Sequence, residues 1–356
     1  MNNFITYISA SPAEVPSSLE VENSDILKML AIASKAPSGH NTQPWQFKVN
    51  GSSIEIHPDF SKALPVVDGN NRELYISLGC LTANFCIAAK ELYYIPLVSF
   101  ESGNNDYAYI KIKLIQGNTL KDPLFEQIEK RQTNRGEYDN TLIPQEKIGR
   151  LKYMLTDDSI KARFFRKDSM EFLMLRDLIE RANTIQMKDS AFKKELLNWI
   201  RFNSKEENRC KTGLSYRVMG MPAAPGFLGK QIVKAFLKPS KQNSSDLKKL
   251  DSSSHLVLFS CCENSTENWI RLGISLQRFL LESTAFGISA AWMNQPCEVE
   301  SVSIALRNEF HIYNEYPAIL LRIGYGGQKE FSLREERQKF MNLVSGSNSV
   351  HTRAIQ

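Results

Sequence analysis

Apolar positions recur with a helical period from Asp25 to Lys35, where Leu27, Leu30, Ala31 and Ser34 fall on one face. Pro37 ends that run, and the pattern then switches to strand-like alternation at Trp45 and Phe47. Phe47-Lys48-Val49 and Ser53-Ile54-Glu55-Ile56-His57 alternate on either side of Asn50-Gly51, which predicts a hairpin closed by Pro58. A long apolar helix is expected from Leu74 to Leu92, and a strand from Tyr107 to Leu114. The second half repeats much of this order. Leu256–Ser260 reads as a buried strand, and Trp269–Phe286 as a long helix. Strands at Ala290–Met293 and Ala318–Ile323 flank a helix around Val302–Glu309. Leu78-Gly79 and Leu272-Gly273 open matching apolar runs that close on Phe85 and Phe279 at the same offset. That likeness suggests an internal repeat, although two unrelated buried helices also produce such a pattern.

Composition narrows the class. At 356 residues, with 42% hydrophobic and 23% charged residues, the chain reads as globular with one large core or two moderate ones. A net charge of +5 gives no footprint for nucleic acid. Residues 1–22 read as a poorly ordered lead-in without a basic, apolar leader, and no window approaches the roughly 20 apolar residues that span a bilayer. The six cysteines show no metal-ligand spacing, the five histidines no pairing, and no metal is expected. Cys80 and Cys86 read as small core residues, and a cytoplasmic location is the simplest expectation. There is no Gly-x-Gly-x-x-Gly after a strand and no Gly-x-Ser-x-Gly elbow.

The chemistry concentrates between the first helix and the hairpin. Ala36-Pro37-Ser38-Gly39-His40-Asn41-Thr42-Gln43-Pro44-Trp45 places Ser, Asn, Thr and Gln within six positions. Such short-armed donors and acceptors suit the edge of a flat ligand, and Gly39 permits close backbone approach. An ordinary helix-capping turn has the same composition. The wording of the loop resembles the flavin-contacting segment of the FMN-dependent nitroreductases, with variants of Ala-Pro-Ser-Ser-x-Asn-x-Gln-Pro-Trp. Its Gly-His-Asn-Thr version looks most like the Acg-like branch, in which two nitroreductase-like halves are fused.

The resemblance implies an α+β fold in which one chain mimics a homodimer, with residues 23–118 as the first half and 119–340 as the second. Residues 341–356 form a tail. It implies FMN between the halves, contacted by Pro37, Ser38, Gly39, His40, Asn41 and Gln43. Lys130-Arg131-Gln132-Thr133-Asn134-Arg135 resembles the Arg-Arg-Ser-x-Arg phosphate element of the family. It makes Arg131 and Thr133 phosphate candidates and Arg135 the cation at the flavin N1/O2 edge. Without the loop, Arg131 and Arg135 would read as a solvated i, i+4 face. Arg334, after the Gly324-Tyr325 strand end, is carried over as a second phosphate residue, with Arg337 the weaker choice. Arg322 is left aside as a strand-end surface charge. Asn294 and Gln295 fall where the family sets donors against flavin N5, although Pro296 has no N–H to give.

Residues 188–250 have no counterpart in the first half and carry 14 Lys and Arg against 5 Asp and Glu. They read as a lid, with Trp199, Tyr216 and Met219 over the flavin. A surface helical insertion and a basic membrane-surface patch are the other readings. Ser240–Ser254 reads as mobile from its Ser and Lys content. The resulting function is two-electron transfer from NAD(P)H through FMN to a nitroaromatic or quinone-like small molecule. A closed, FMN-sequestering protein is the alternative. A monomer that imitates a dimer is expected, with no nucleic acid and no membrane as partner.

Overall fold

The computed structural model describes residues 6–7, 21–103 and 107–335. The rest of the expected lead-in, the tail at 341–356 and Arg337 lie outside the described residues. Strand β1 (Thr6–Tyr7) precedes helix α1 (Asn23–Ala33). α1 buries Ile26, Met29, Leu30 and Ala33, one position away from the predicted stripe. Ile26 and Met29 carry more apolar surface than Ala31 and Ser34, and the helix turns toward them. Strands β2 (Trp45–Asn50) and β3 (Ser53–Pro58) form the expected hairpin, with Asn50 opposite Ser53 and Gly51 at φ +55°. Helix α2 (Arg72–Glu91) buries 16 of its 20 residues, so it is a central element rather than a surface one. Strands β4 (Tyr94–Ser102) and β5 (Ala108–Gln116) complete a sheet in the order β1-β4-β5-β3-β2. β4 goes unpredicted because Pro96 and Ser99 interrupt its apolar alternation.

The remaining elements run α3 (Gln127–Lys130), α4 (Gln145–Tyr153), β6 (Ile160–Arg166), α5 (Met170–Lys188), α6 (Ser190–Trp199), β7 (Ile200–Arg201), α7 (Ser204–Cys210), β8 (Leu214–Ser215), α8 (Gly226–Phe236), α9 (Pro239–Asp251), β9 (His255–Cys261), α10 (Thr266–Ala285), β10 (Ser289–Trp292), α11 (Gln295–Glu298), α12 (Glu300–Glu309) and β11 (Tyr316–Gly324). β10-β11-β9-β6 form a second, antiparallel sheet. The fold is α+β. The Ser- and Lys-rich run read as mobile is helix α9 for most of its length. Leu250 and the partly buried Leu247 give it an inward stripe that packs toward α5, which composition alone conceals.

The two long helices cross at their glycines. A Cβ on Gly79 would stand 2.1 Å from the Ile270 carbonyl oxygen, and one on Gly273 would stand 2.1 Å from the Ile76 carbonyl oxygen. Backbone therefore lies directly on backbone, and only glycine fits at either position. The contact is the same from both sides. Leu78 and Leu272, and Phe85 and Phe279, occupy equivalent fully buried positions along α2 and α10. Gln277 Nε2 donates to Asn84 Oδ1 at 2.7 Å within the same crossing. One core cluster, from Leu30 and Ile54 to Phe259 and Leu321, spans both sheets through this pair of helices.

Candidate functional site

A cavity of about 800 Å³ opens beside the helix crossing, walled by residues 35–41, 73–80, 128–135, 291–298 and 330–334. That volume is typical of cofactor and ligand sites. Its rim is the predicted loop. His40, Asn41 and Gln43 all have positive φ (46°, 56° and 54°), a region that costs a non-glycine residue about 1–2 kcal/mol. Specific bonds hold the loop there. Gln43 N donates to Ser38 Oγ at 3.0 Å, Gln43 Nε2 to the Lys211 carbonyl at 2.8 Å, and Glu335 N to Gln43 Oε1 at 2.9 Å. Asn41 Nδ2 donates to the carbonyls of Gly213 and Leu333, while Gly213 N donates to the Asn41 carbonyl at 3.1 Å. Pro37, Ser38, Gly39, His40 and Asn41 line the cavity. Gln43 does not: fully buried, it is a strut between the loop, the insertion and the C-terminal segment.

Three arginines converge at one end. Arg131 Nη2 donates to the Lys35 carbonyl at 3.2 Å, and Arg334 Nη2 to the carbonyls of Lys35 and Ala36. Arg334 Nη1 also donates to Asn41 Oδ1 at 2.6 Å. Arg135 has no hydrogen-bond or ion-pair partner among the described residues, and it lines the cavity. The Nε atoms of Arg131 and Arg334 are buried without a partner. Burial, and then repulsion from Arg131 and Arg135, pulls the Arg334 guanidinium down to about 9. Burial pulls Arg131 and Arg135 down to about 10. His40 is held near 4 by burial and by Arg135, so its ring is neutral at physiological pH, with Nε2 unpartnered. Three cations this close, with no carboxylate paired to them among the described residues, suit an anion.

The backbone under the arginines is itself clamped. Thr133 bridges in parallel to Ala290 at the β10 edge, and Asn134 N donates to the Ala290 carbonyl at 3.0 Å. Arg322 is fully buried, not the surface charge expected. It stacks on Tyr138 at 4.1 Å and donates to the carbonyls of Asn134 and Gly136 at 3.1 and 2.7 Å. Its role is to fix the segment that carries Arg131, Thr133 and Arg135.

Part of the cavity wall is acidic, which the sequence did not reveal: the Glu73 carboxylate lies beside Gly39, 3.6 Å from a Cβ built there. Glu73 and Glu298 lie close enough that the Glu298 charge opposes ionisation of Glu73. Burial holds Glu73 well above the usual carboxylate range, helped by the charges of Glu298 and Asp68. Burial also raises Glu298, against hydrogen bonding from Gln186 and the charge of Arg72. Asn294 donates to Glu73 and, through Oδ1, accepts from Leu320 N at 3.0 Å. Its side chain is thus committed to the protein. Gln295 Nε2 donates to Asp246 at 3.3 Å and leaves Oε1 buried without a partner. The only trace of this pair in the sequence is Glu73 inside the polar entry to α2.

Residues of the 188–250 insertion line part of the cavity, and they are mostly not the ones predicted. Met219 lines it, together with Phe192, Leu196, Ile200, Leu214, Val233 and Leu237. Trp199 instead packs beside Leu64, Val67 and Met187, with the Arg201 guanidinium over its ring. Tyr216 points elsewhere and accepts from Arg217 Nε. Their neighbours at the strand and helix ends, Ile200 and Leu214 among them, carry the inward positions.

No family model matches the chain. Two curated relatives from Mycobacterium tuberculosis, one each from strains CDC 1551 / Oshkosh and H37Rv, are 24% identical over 312 residues. The match covers 83% of this chain and 84% of each relative, and both carry NAD(P)H nitroreductase as a provisional name. The likeness to nitroreductases read from the loop at 36–45 is borne out by these relatives. Among solved structures, an FMN-bound nitroreductase from Bacteroides fragilis aligns with a TM-score of 0.36 at 14% identity, over 61% of this chain and 94% of that one. An FMN-dependent nitroreductase from Mycobacterium smegmatis in complex with NADPH also gives 0.36, at 12% identity, over 62% and 90%.

Proposed function

We propose that this protein is an FMN-dependent oxidoreductase of the nitroreductase type, taking two electrons from NAD(P)H and passing them to a small flat acceptor such as a nitroaromatic or quinone. The observation that carries the reading is the trio Arg131, Arg135 and Arg334, desolvated and mutually repelling beside the Ser38–Asn41 loop. A phosphate would relieve that repulsion and meet the unpartnered Nε atoms of Arg131 and Arg334. FMN supplies hydride chemistry that no side chain can provide. Arg131, Thr133 and Arg334 hold the phosphate, Arg135 and neutral His40 meet the ring edge, and Gly39 keeps the loop backbone close to it. Gln295 Oε1, the backbone at 294–295 and the carboxyls of Glu73 and Glu298, whose ionisation burial disfavours, line the rest of the cavity.

In this reading the division near residue 118 separates two nitroreductase-like halves, and the site between them takes one FMN per chain. The reciprocal Gly79–Gly273 contact supports a monomer built like a dimer. All six cysteines are free thiols, in keeping with a reducing cytoplasm. One observation favours the sequestering alternative: Asn41 and Gln43 tie the loop to Lys211 and Gly213 of the lid through a cluster of hydrogen bonds. A lid held this way would slow entry of a nicotinamide.

Titration of the purified apoprotein with FMN and with riboflavin tests the reading. FMN should bind at least tenfold more tightly than riboflavin, and Arg334→Gln should erase the difference. A protein that takes up neither flavin sinks the proposal.

A further inference from the structure

Helix α8 has two apolar faces. The inner one presents Val233 and the helix-end Leu237 to the cavity, and Gly229 lies against the Phe202 ring, where a Cβ would come within 2.4 Å. The outer one is bare. Phe227 is 78% exposed, Phe236 62%, Ile232 46% and Leu228 45%. Leu228, Ile232 and Phe236, at i, i+4 and i+8, form one stripe, and Phe227 at the helix start stands about 180° round from Phe236, at the other edge of the same half of the helix. Scattered exposed hydrophobes need no explanation, but four spread over one half of an 11-residue helix do.

The charge around this stripe is of one sign. From residue 208 to 245 the chain has no Asp or Glu and seven Lys or Arg. Lys230 and Lys234 lie just beyond the Phe227 edge of this half of α8, and Lys238 and Lys241 follow at the C-terminal end. All four are exposed and have no ion pair among the described residues. The nearest carboxylates belong to α7: Glu206 accepts from Phe202 N, and Glu207 faces Arg217. Two such faces would repel each other across a dimer interface, whereas a surface of anionic headgroups over acyl chains complements both the lysines and the phenylalanines.

We propose that α8 docks this protein on an anionic phospholipid surface, with Phe227, Leu228, Ile232 and Phe236 entering the interface and Lys230, Lys234, Lys238 and Lys241 meeting the headgroups. The helix lies on the membrane; no described helix is long and apolar enough to cross one. The sequence reading set the membrane aside because composition shows the lysines but not which way the phenylalanines point. The inference does not depend on the flavin chemistry. Because the inner face of α8 is cavity wall, docking would also load the lid at that wall.

Co-sedimentation of the full chain with vesicles of phosphatidylcholine, or of phosphatidylcholine with phosphatidylglycerol, tests this. Binding should favour the anionic vesicles by about tenfold or more and weaken with salt. Phe227→Ser/Phe236→Ser should lose at least tenfold in partitioning while keeping the wild-type melting temperature, since both side chains are exposed. Lys230→Gln/Lys234→Gln/Lys238→Gln should remove the preference for anionic lipid. No sedimentation with anionic vesicles, or binding that the phenylalanine variant leaves unchanged, overturns the proposal. So does a concentration-dependent dimer in sedimentation velocity that the phenylalanine variant abolishes, which would assign the face to a second copy.

Discussion

Gly273→Ala isolates the helix crossing on which the cavity rests. In an open helix position the change stabilises by up to about 1 kcal/mol, because alanine is the better helix former. At Gly273 the new methyl would stand 2.1 Å from the Ile76 carbonyl oxygen and 2.9 Å from Gly79 Cα. A relaxed carbon–oxygen contact needs about 3.3 Å, so the backbones must part by about 1 Å. Neither neighbour is a flexible side chain that can swing away. Overpacking of this kind costs roughly 1–3 kcal/mol and occasionally more, and a gap of that size forfeits a quarter to a half of the dispersion across the interface. We expect a net loss of about 3 kcal/mol, read as a lower midpoint in denaturant unfolding at unchanged slope. Gly79→Ala should cost a similar amount, and the double variant less than the sum, since both act on one contact. Gly149 in α4 has nothing within 4 Å of a built Cβ, so Gly149→Ala is the matched control and should be neutral or stabilising. A Gly273→Ala protein as stable as wild type, or more so, would refute the crossing.

Inorganic phosphate should raise the melting temperature of the apoprotein by neutralising the arginine trio, and Arg334→Gln should remove that response while weakening FMN binding about 10–100-fold. The Glu73–Glu298 pair sets a pH dependence. Their folded pKa values lie above the unfolded ones, so their stabilising contribution is complete below the ordinary glutamate range near 4.3 and is lost as pH rises through the folded values. Glu73→Gln carries no such proton. Its stability relative to wild type, measured by urea unfolding at pH 5 and pH 8, should therefore improve toward pH 8; a pH-independent difference counts against a raised Glu73 carboxyl. Asn41→Ala should free the lid from the loop, seen as faster tryptic cleavage at Arg209, Lys211 or Arg217 and faster loss of bound flavin. Unchanged cleavage would mean the lid is held elsewhere.

Much of this was legible in residue order. The hairpin at Asn50-Gly51, the two long buried helices and the strands of the second half follow from periods of 2 and 3.6 that burial enforces, and each forms where expected within a few residues. The likeness of Leu78-Gly79 to Leu272-Gly273 has a physical origin, because the two glycines meet. Local pattern carries no information on tertiary direction, and the misses at the site lie there. Trp199 and Tyr216 sit beside the cavity-facing positions, not on them. Arg322 reads as a surface charge until its partners at 134–138 fold over it. Glu73 and Glu298 are 225 positions apart, and α2 and α11 bring them together only in the folded chain.

Anaerobic stopped-flow mixing of the FMN-loaded protein with NADPH or NADH, followed at the visible flavin absorbance maximum, tests the proposed activity most directly. Bleaching within the dead time to a few seconds with at least one nicotinamide, reversed by a nitroaromatic or quinone, is the predicted result. A bound flavin that stays oxidised with both nicotinamides, yet bleaches with dithionite, would contradict it and favour the closed, sequestering protein.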